Sequence, residues 1–189
     1  MKDLSGKKVA ILVADGFEQQ ELTGPREALD AAGAETMIVS PVDGKVEGWN
    51  HFDKGDKFSV DIQLAQASAD DFDALLLPGG VANPDQLRMK PEAVRFIKDF
   101  FDAGKPVAVI CHGAWTLIEA GVVEGRRMTS WPSVKTDLIN AGANWVDEEV
   151  VVDNGLISSR NPGDIPAFNK KMIEEFSEGS HRGRRSAAI

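Results

Sequence analysis

The amino-acid sequence predicts an α/β protein with a doubly wound, mostly parallel sheet and helices on both of its faces. Two observations carry this prediction. Short apolar runs alternate along the chain with segments of helical spacing, which is the pattern of βαβ units. The runs are continuously apolar rather than alternating, as in "KVAILVAD", and this is typical of parallel strands that are covered on both faces.

The predicted elements follow one another as such a sheet requires. Strands are expected at residues 8–15, 35–40, 72–80, 106–110 and, as the arms of a hairpin with an Asn-Gly turn, 145–159. Helices are expected at residues 24–33, 91–105, 113–121, 132–142 and 162–176. The first helix has Pro25 near its start and Gly33 at its end, the usual asymmetry of helix termini. Polar, glycine-containing residues 44–62 predict a small hairpin on the sheet edge.

Length and composition predict one folded domain. The chain has 189 residues, of which 42% are hydrophobic and 27% charged, an ordinary balance for a folded protein. We expect residues 1–178 to form a single domain and residues 179–189 to form a basic, frayed tail.

Charge and cysteine content limit the partners and the compartment. The formal net charge of −9 argues against binding to nucleic acid or to an anionic membrane surface. No apolar run approaches the roughly 20 residues that a membrane span needs, and the N-terminal segment lacks a signal-peptide pattern. The single cysteine cannot form an internal disulfide or a Cys-based zinc site. These features predict a cytoplasmic protein.

The ligand crevice of a doubly wound sheet lies at the carboxyl ends of its strands, and three loops there carry reactive groups. The segment "ADGFEQQEL" supplies Glu18 and Glu21, "PGGVANPD" supplies Gly79, Gly80 and Asp85, and "CHGAW" supplies Cys111, His112, Gly113 and Trp115.

Cys111 stands where a buried strand passes into a helix, which is the position of a nucleophile elbow. Gly113 follows it by two residues, whereas the glycine expected two residues before it is replaced by Val109. The dipole of the following helix is expected to lower the pKa of the thiol and favour the reactive thiolate. The alternative is that Cys111 is a small buried hydrophobe. We favour the reactive thiol.

The sequence alone leaves two roles open for each of the groups around Cys111. His112 either manages the proton of the thiol, with Asp85 as its best orienting partner, or caps the helix. Trp115 either lines the pocket or packs in the core. Glu18 and Glu21 can share one helical face if a helix begins there, or can occupy a solvated first turn.

Two further predictions concern Glu21 and the glycines. If Glu21 touches Cys111, it should carry a proton and donate a hydrogen bond, with its own pKa raised. Gly79 and Gly80 would let backbone amides approach a substrate oxyanion closely, or would form an ordinary turn. No nucleotide-binding loop is present, so no nucleotide cofactor is expected. His51 and His181 lack partners at ligand spacing, so no metal is expected either.

Four segments carry a resemblance to a known family. "DALLLPGG", "GKPVAVICHGAW", "GVVEGRRMTSW" and "INAGANWVDEEVVVDNGLISSRNPGD" together resemble the PfpI family of intracellular cysteine peptidases and stress-response hydrolases. The likeness runs from about residue 8 to residue 176. It implies a flavodoxin-like fold of the class I glutamine-amidotransferase type, without a cofactor.

The resemblance also implies roles for individual residues. The nucleophile falls on Cys111, its histidine on His112, and the carboxylate bonded to the thiol on Glu21, with Glu18 nearby. An acidic residue from a neighbouring subunit orients the histidine in this family, and its position matches Asp85, where peptidase-type members have glutamate.

The family proline after Cys-His-Gly is replaced by Ala114. Members form homodimers or larger assemblies. A glutamine amidotransferase is excluded because the only histidine after His112 is His181, in the tail.

Three functions remain open. The first is a deglycase-like or glyoxalase-like hydrolase that acts on α-oxoaldehydes or on glyoxal-glycated protein and nucleotide groups, and we prefer it because one elbow on a compact domain offers no extended peptide cleft. The second is an intracellular cysteine peptidase. The third is a non-enzymatic redox-sensing or chaperone protein that uses Cys111.

Overall fold

The computed structural model describes residues 2–180 and contains a central sheet of seven strands. The strands of this sheet are β1 (Lys8–Leu12), β3 (Glu35–Ser40), β6 (Ile62–Gln63), β7 (Ala74–Leu77), β8 (Val107–Ile110), β11 (Val151–Asp153) and β12 (Leu156–Ser159). Their spatial order is β11-β12-β8-β7-β1-β3-β6. Every neighbouring pair is parallel except β11 and β12, so the predicted doubly wound, mostly parallel sheet is confirmed.

Within the described residues, six α-helices cover the two faces of this sheet. They are α1 (Gln19–Ala31), α2 (Ala82–Arg88), α3 (Pro91–Asp102), α4 (Ala114–Glu119), α5 (Lys135–Asn140) and α6 (Ile165–Glu178). Alternate residues of β1 point to opposite faces: Ala10 and Leu12 belong to one buried cluster, and Val9 and Ile11 belong to the other. The first cluster packs against α2 to α5 and the second against α1 and α6. Because both faces are covered, the central strands β7 and β8 are apolar throughout, and β1 is apolar after Lys8.

The hairpin predicted within residues 44–62 does not lie on the edge of the central sheet. Strands β4 (Lys45–Asn50) and β5 (Asp53–Ser59) pair with the short strand β2 (Phe17–Glu18) to form a separate three-stranded sheet. Only β6 joins the central sheet from this region. The expected edge position was wrong because residues 17–18, directly before α1, offer the hairpin an unpaired strand.

The first helix begins five residues before the predicted start. The helix α1 starts at Gln19, and Pro25 lies in its interior rather than near its start. Glu21, Leu22, Pro25 and Leu29 are all buried on its inner face. Burial of this face outweighs the cost of an interior proline, and it turns Glu21 toward the protein interior.

The remaining elements lie close to their predicted positions. The Asn-Gly hairpin is formed by β11 and β12, with both Asn154 and Gly155 at positive φ, as a tight primed turn requires. Strands β9 (Arg127–Met128) and β10 (Asn144–Trp145) form a small parallel pair, and α2 occupies a segment predicted as loop. Among residues 2–180, no helix is long and apolar enough to cross a membrane. Residues 181–189, most of the expected tail, lie outside the described part.

Candidate active site

The chain turns sharply at Cys111, directly after β8. Cys111 has a φ of 62°, a left-handed conformation that costs a non-glycine residue about 1–3 kcal/mol. A single 3₁₀ turn, Cys111–Gly113, then leads into α4. A Cβ at Gly113 would lie 2.9 Å from the carbonyl oxygen of Leu77, so the glycine lets the turn pack against β7. The backbone N–H of Trp131 donates to the carbonyl of Cys111 at 3.2 Å and holds the turn from the other side.

The thiol of Cys111 is buried, and its pKa is raised rather than lowered. The residue is 7% exposed. Burial raises the pKa of the Cys111 thiol well above its ordinary value, and the negative charge of Glu21 adds to the effect. The backbone N–H groups of His112 and Gly80 act in the opposite direction but do not offset burial. The expectation that the helix dipole lowers the pKa of the thiol was therefore wrong, because burial outweighs the neighbouring N–H groups.

The carboxyl of Glu21 adjoins this thiol and is fully buried, at 0% exposure. Its Oε2 accepts a hydrogen bond of 2.7 Å from the backbone N–H of Gly79, whereas its Oε1 has no hydrogen-bond partner among residues 2–180. Burial raises the pKa of Glu21 to about 8, and the nearby charge of Glu18 raises it further, against the lowering effects of Gly79 and Cys111. At neutral pH Glu21 is therefore protonated and can donate a proton beside the sulfur.

Glu18 is a second buried carboxyl, one helical turn before Glu21. Its Oε2 accepts a hydrogen bond of 3.1 Å from the backbone N–H of His51 and lies 3.5 Å from Nδ1 of the same residue. Its Oε1 has no hydrogen-bond partner in the part of the chain that the structure describes. The sequence pattern indicates no ligand or catalytic partner for His51. In the structure, His51 occupies the tip of the β4–β5 hairpin at a φ of 58°, and its contacts hold Glu18 in place.

The two glycines of the "PGG" turn have different tasks. The N–H of Gly79 donates to Glu21. It is therefore not free to bind a substrate oxyanion, although the prediction assumed that it was. A Cβ at this position would lie 2.7 Å from the Cβ of Cys111. Gly80 has a φ of 78°, and a Cβ there would lie 2.6 Å from the backbone nitrogen of Glu18. The N–H groups at the sulfur belong to Gly80 and His112, and these two are the candidate oxyanion donors.

The ring of His112 lies between the thiol and two tryptophans. Its Nδ1 is 3.2 Å from Sγ of Cys111, and its Nε2 is 3.3 Å from Oγ of Ser133. Trp115 contacts the ring edge-on with centroids 5.0 Å apart, and Trp131 stacks on it at 5.8 Å and 23°. Burial lowers the pKa of His112, so the ring is neutral at neutral pH. The ring can therefore accept the thiol proton. Its contacts are with the thiol, Ser133 and the two tryptophans, and not with the end of a helix.

Asp85 does not join this group within one chain. It is an exposed residue of α2. The contacts of His112 with described residues are those with Cys111, Ser133, Trp115 and Trp131. An orienting carboxylate from Asp85 would therefore have to come from a second copy.

Two residues of the site lie outside the sequence prediction. Trp131 and Ser133 belong to the segment "TSWPS", which follows β9 and covers the elbow. The only sequence signal for them is a tryptophan and a proline between two serines. An ordinary loop shows the same pattern. Among residues 2–180, no group of three or more His, Cys, Asp or Glu side chains is arranged to hold a metal ion.

A buried thiol on a strand-to-helix elbow, beside a protonated carboxyl and a neutral imidazole, defines a cysteine-nucleophile hydrolase of the α/β class. Comparison with known proteins agrees with this class. The model of the DJ-1/PfpI family matches residues 7–175, and the chain belongs to this family.

Individual relatives cover almost the whole chain. A deglycase of Pyrococcus abyssi is 46% identical over 167 residues, which are 88% of this chain and 98% of the relative. The protein/nucleic acid deglycase 2 of Escherichia coli is 42% identical over 170 residues, 88% of this chain and 96% of the relative. The crystal structure of Drosophila melanogaster DJ-1beta superimposes with a TM-score of 0.82 at 28% identity, covering 94% of this chain and 91% of that one.

Proposed function

We propose that this protein is a cysteine-dependent hydrolase that acts on α-oxoaldehydes such as methylglyoxal, or on glyoxal adducts of protein and nucleotide groups. The observation that carries the proposal is the fully buried carboxyl of Glu21 beside the buried thiol of Cys111, because this burial raises the pKa of Glu21 to about 8. The names of the relatives from Pyrococcus abyssi and Escherichia coli, both deglycases, support it.

The first step is addition of the thiol to the aldehyde. The sulfur of Cys111 bonds the aldehyde carbon, and its proton passes to Nδ1 of His112, which lies 3.2 Å away. The aldehyde oxygen takes the proton of Glu21 and becomes the hydroxyl of a hemithioacetal. A carboxyl with a pKa of about 8 holds this proton at neutral pH, whereas a carboxyl with an ordinary pKa would not.

The second step moves a proton between neighbouring carbons. The carboxylate that Glu21 has become takes the proton from the carbon that carries sulfur and returns it to the adjacent carbon, while the hydroxyl proton passes from the oxygen of the first carbon to the oxygen of the second. The product is a lactoyl thioester of Cys111. One water molecule then cleaves the thioester to lactate and free thiol, so the reaction consumes water and needs no redox partner. The N–H groups of Gly80 and His112 are placed to stabilise the oxyanion of this hydrolysis.

Peptide hydrolysis is the second candidate, and the 3.2 Å contact between the thiol and His112 favours it. The leaving amine of a peptide must be protonated, and His112 is the group beside the sulfur that could do so after taking the thiol proton. This role requires an orienting carboxylate, for which we propose Asp85 of a second copy.

Members of the family are typically oligomeric, and we propose a homodimer or larger assembly located in the cytoplasm. Asp85→Ala should then lower peptide hydrolysis only in the assembled oligomer, and an equal loss in a stable monomer would contradict the cross-subunit role.

A redox-sensing role has less support. Oxidation to sulfenic acid proceeds through the thiolate and requires access to the sulfur. The Cys111 thiol is buried, and its pKa is raised.

The experiment that tests the main proposal is lactate formation from methylglyoxal by the reduced protein, with Cys111→Ser beside it. Turnover that disappears in the variant supports carbonyl chemistry at this thiol. Equal turnover in both proteins, or none in the wild type, would contradict it.

A further inference from the structure

The imidazole of His112 has two nitrogens with two different neighbours. Nδ1 faces the thiol of Cys111 at 3.2 Å, and Nε2 faces the hydroxyl of Ser133 at 3.3 Å. A neutral imidazole carries one proton, so one nitrogen donates while the other accepts. The thiol can give a proton only to a nitrogen that lacks one, so the productive form has its proton on Nε2.

Ser133 is the group that can hold this proton in place. Its hydroxyl oxygen can accept a hydrogen bond from Nε2, and it is the hydrogen-bond partner that the described residues provide at that nitrogen. Burial is the sole cause that lowers the pKa of His112, so no carboxylate of the described chain acts on the ring. Within one copy, Nε2 therefore faces a neutral hydroxyl, and a carboxylate could reach the ring only from a second copy.

We infer that Ser133 is a positioning residue that holds the His112 ring with its Nε2–H toward Oγ and with the lone pair of Nδ1 toward the Cys111 thiol. Trp115 and Trp131 restrict the ring plane from the edge and from the face, and Ser133 fixes which nitrogen carries the proton. The resulting hydrogen-bond chain runs in one direction: the thiol donates to Nδ1, and Nε2–H donates to Ser133.

This arrangement also determines how the thiol reacts. When sulfur attacks an electrophile, the S–H bond breaks, Nδ1 gains the proton, and the ring becomes an imidazolium. The hydrogen bond from Nε2–H to Ser133 then has a charged donor and becomes stronger. Ser133 thus stabilises the product of proton transfer more than the neutral ring. The inference rests on the proposed function only for its effect on turnover, because the contact and the thiol reactivity do not depend on the natural substrate.

The test is the rate at which iodoacetamide alkylates Cys111, the only cysteine of the chain, measured by intact mass at neutral pH. In this reaction sulfur bonds the methylene carbon, iodide leaves, and the thiol proton passes to His112. Ser133→Ala should lower the rate by about threefold to tenfold, the range of one net hydrogen bond. Ser133→Thr keeps the hydroxyl and should restore most of the wild-type rate. Ser180→Ala is the matched control, because Ser180 is also exposed and donates one hydrogen bond, to Ala103.

The direction of the change separates positioning from structural support. A variant that merely loosened the "TSWPS" loop would expose the buried thiol and raise the alkylation rate. A second readout is the ring N–H signal of 15N-labelled His112, which should be visible in the wild type and in Ser133→Thr and should broaden in Ser133→Ala. An unchanged or faster rate in Ser133→Ala would overturn the inference, as would a slow rate in Asp85→Ala together with a normal rate in Ser133→Ala. Alkylation needs no methylglyoxal turnover, so failure of the proposed function would be recognised separately.

Discussion

Replacing Glu21 by glutamine should change how the stability of the protein depends on pH. The ordinary pKa of a glutamic acid carboxyl is 4.5, and burial raises that of Glu21 to about 8. Because a tenfold change in proton affinity is worth 1.36 kcal/mol, ionising Glu21 costs the folded protein about 5 kcal/mol more than it costs the unfolded chain. Between these two pKa values the folded protein keeps the proton that the unfolded chain releases. The contribution of Glu21 to the free energy of unfolding is therefore fully present below pH 4.5 and is lost as the pH rises to about 8.

Glu21→Gln cannot ionise, so it should not show this loss. The difference in free energy of unfolding between Glu21→Gln and wild type should grow in favour of the variant by about 3.5 kcal/mol between pH 5 and pH 8, which is most of the full effect. Urea titrations at several pH values and one fixed protein concentration measure it, and the fixed concentration removes any contribution from assembly. Glu27→Gln, an exposed carboxyl on the same helix, is the control and should run parallel to wild type. Parallel curves for Glu21→Gln and wild type would refute the raised pKa of Glu21.

Three further changes have expected outcomes that follow from single contacts. Trp131→Ala removes the ring stacked on His112, so the pKa of His112 should rise toward its ordinary value of 6.5, as an NMR titration of the imidazole would report. Gly80→Ala places a Cβ 2.5 Å from a backbone carbonyl oxygen at a φ of 78°, and urea unfolding should show a loss of at least about 1–3 kcal/mol. Glu18→Gln removes a negative charge that raises the pKa of Glu21, so the pH-dependent fall in unfolding free energy should finish at a lower pH than in wild type.

The sequence was sufficient for the sheet because the relevant signals are local. Continuous apolar runs mark strands that are covered on both faces, and β3 occupies the predicted residues 35–40 without any change. The junction at Cys111 was visible for the same reason, since an apolar run there ends in Cys-His-Gly. The start of α1 was not visible, because Gly24 and Pro25 resemble a helix terminus and only the packing of the buried face against the sheet overrides them. A short helix containing Pro84, α2, was missed on similar grounds.

The electrostatics of the site could not be predicted from the sequence. Proximity to a helix N-terminus indicated a lowered pKa for the Cys111 thiol, but burial by distant segments reverses the sign. For Glu21 the conditional prediction of a raised pKa agrees with the structure, because it used the correct neighbour. Ser133 and Trp131 lie at least nineteen residues after His112 in the chain, and no local pattern connects them to it. Their contacts arise only from the folding of the β9 loop over the elbow.

The central claim is that Glu21 carries the proton between the two substrate carbons, while His112 takes only the thiol proton and has a secondary role. Its most direct test is the rate of lactate formation from methylglyoxal at neutral pH by Glu21→Gln, His112→Ala and the control Glu27→Gln. The account predicts that turnover is abolished in Glu21→Gln, that a measurable fraction remains in His112→Ala, and that Glu27→Gln equals wild type. Abolished turnover in His112→Ala together with substantial turnover in Glu21→Gln would contradict it.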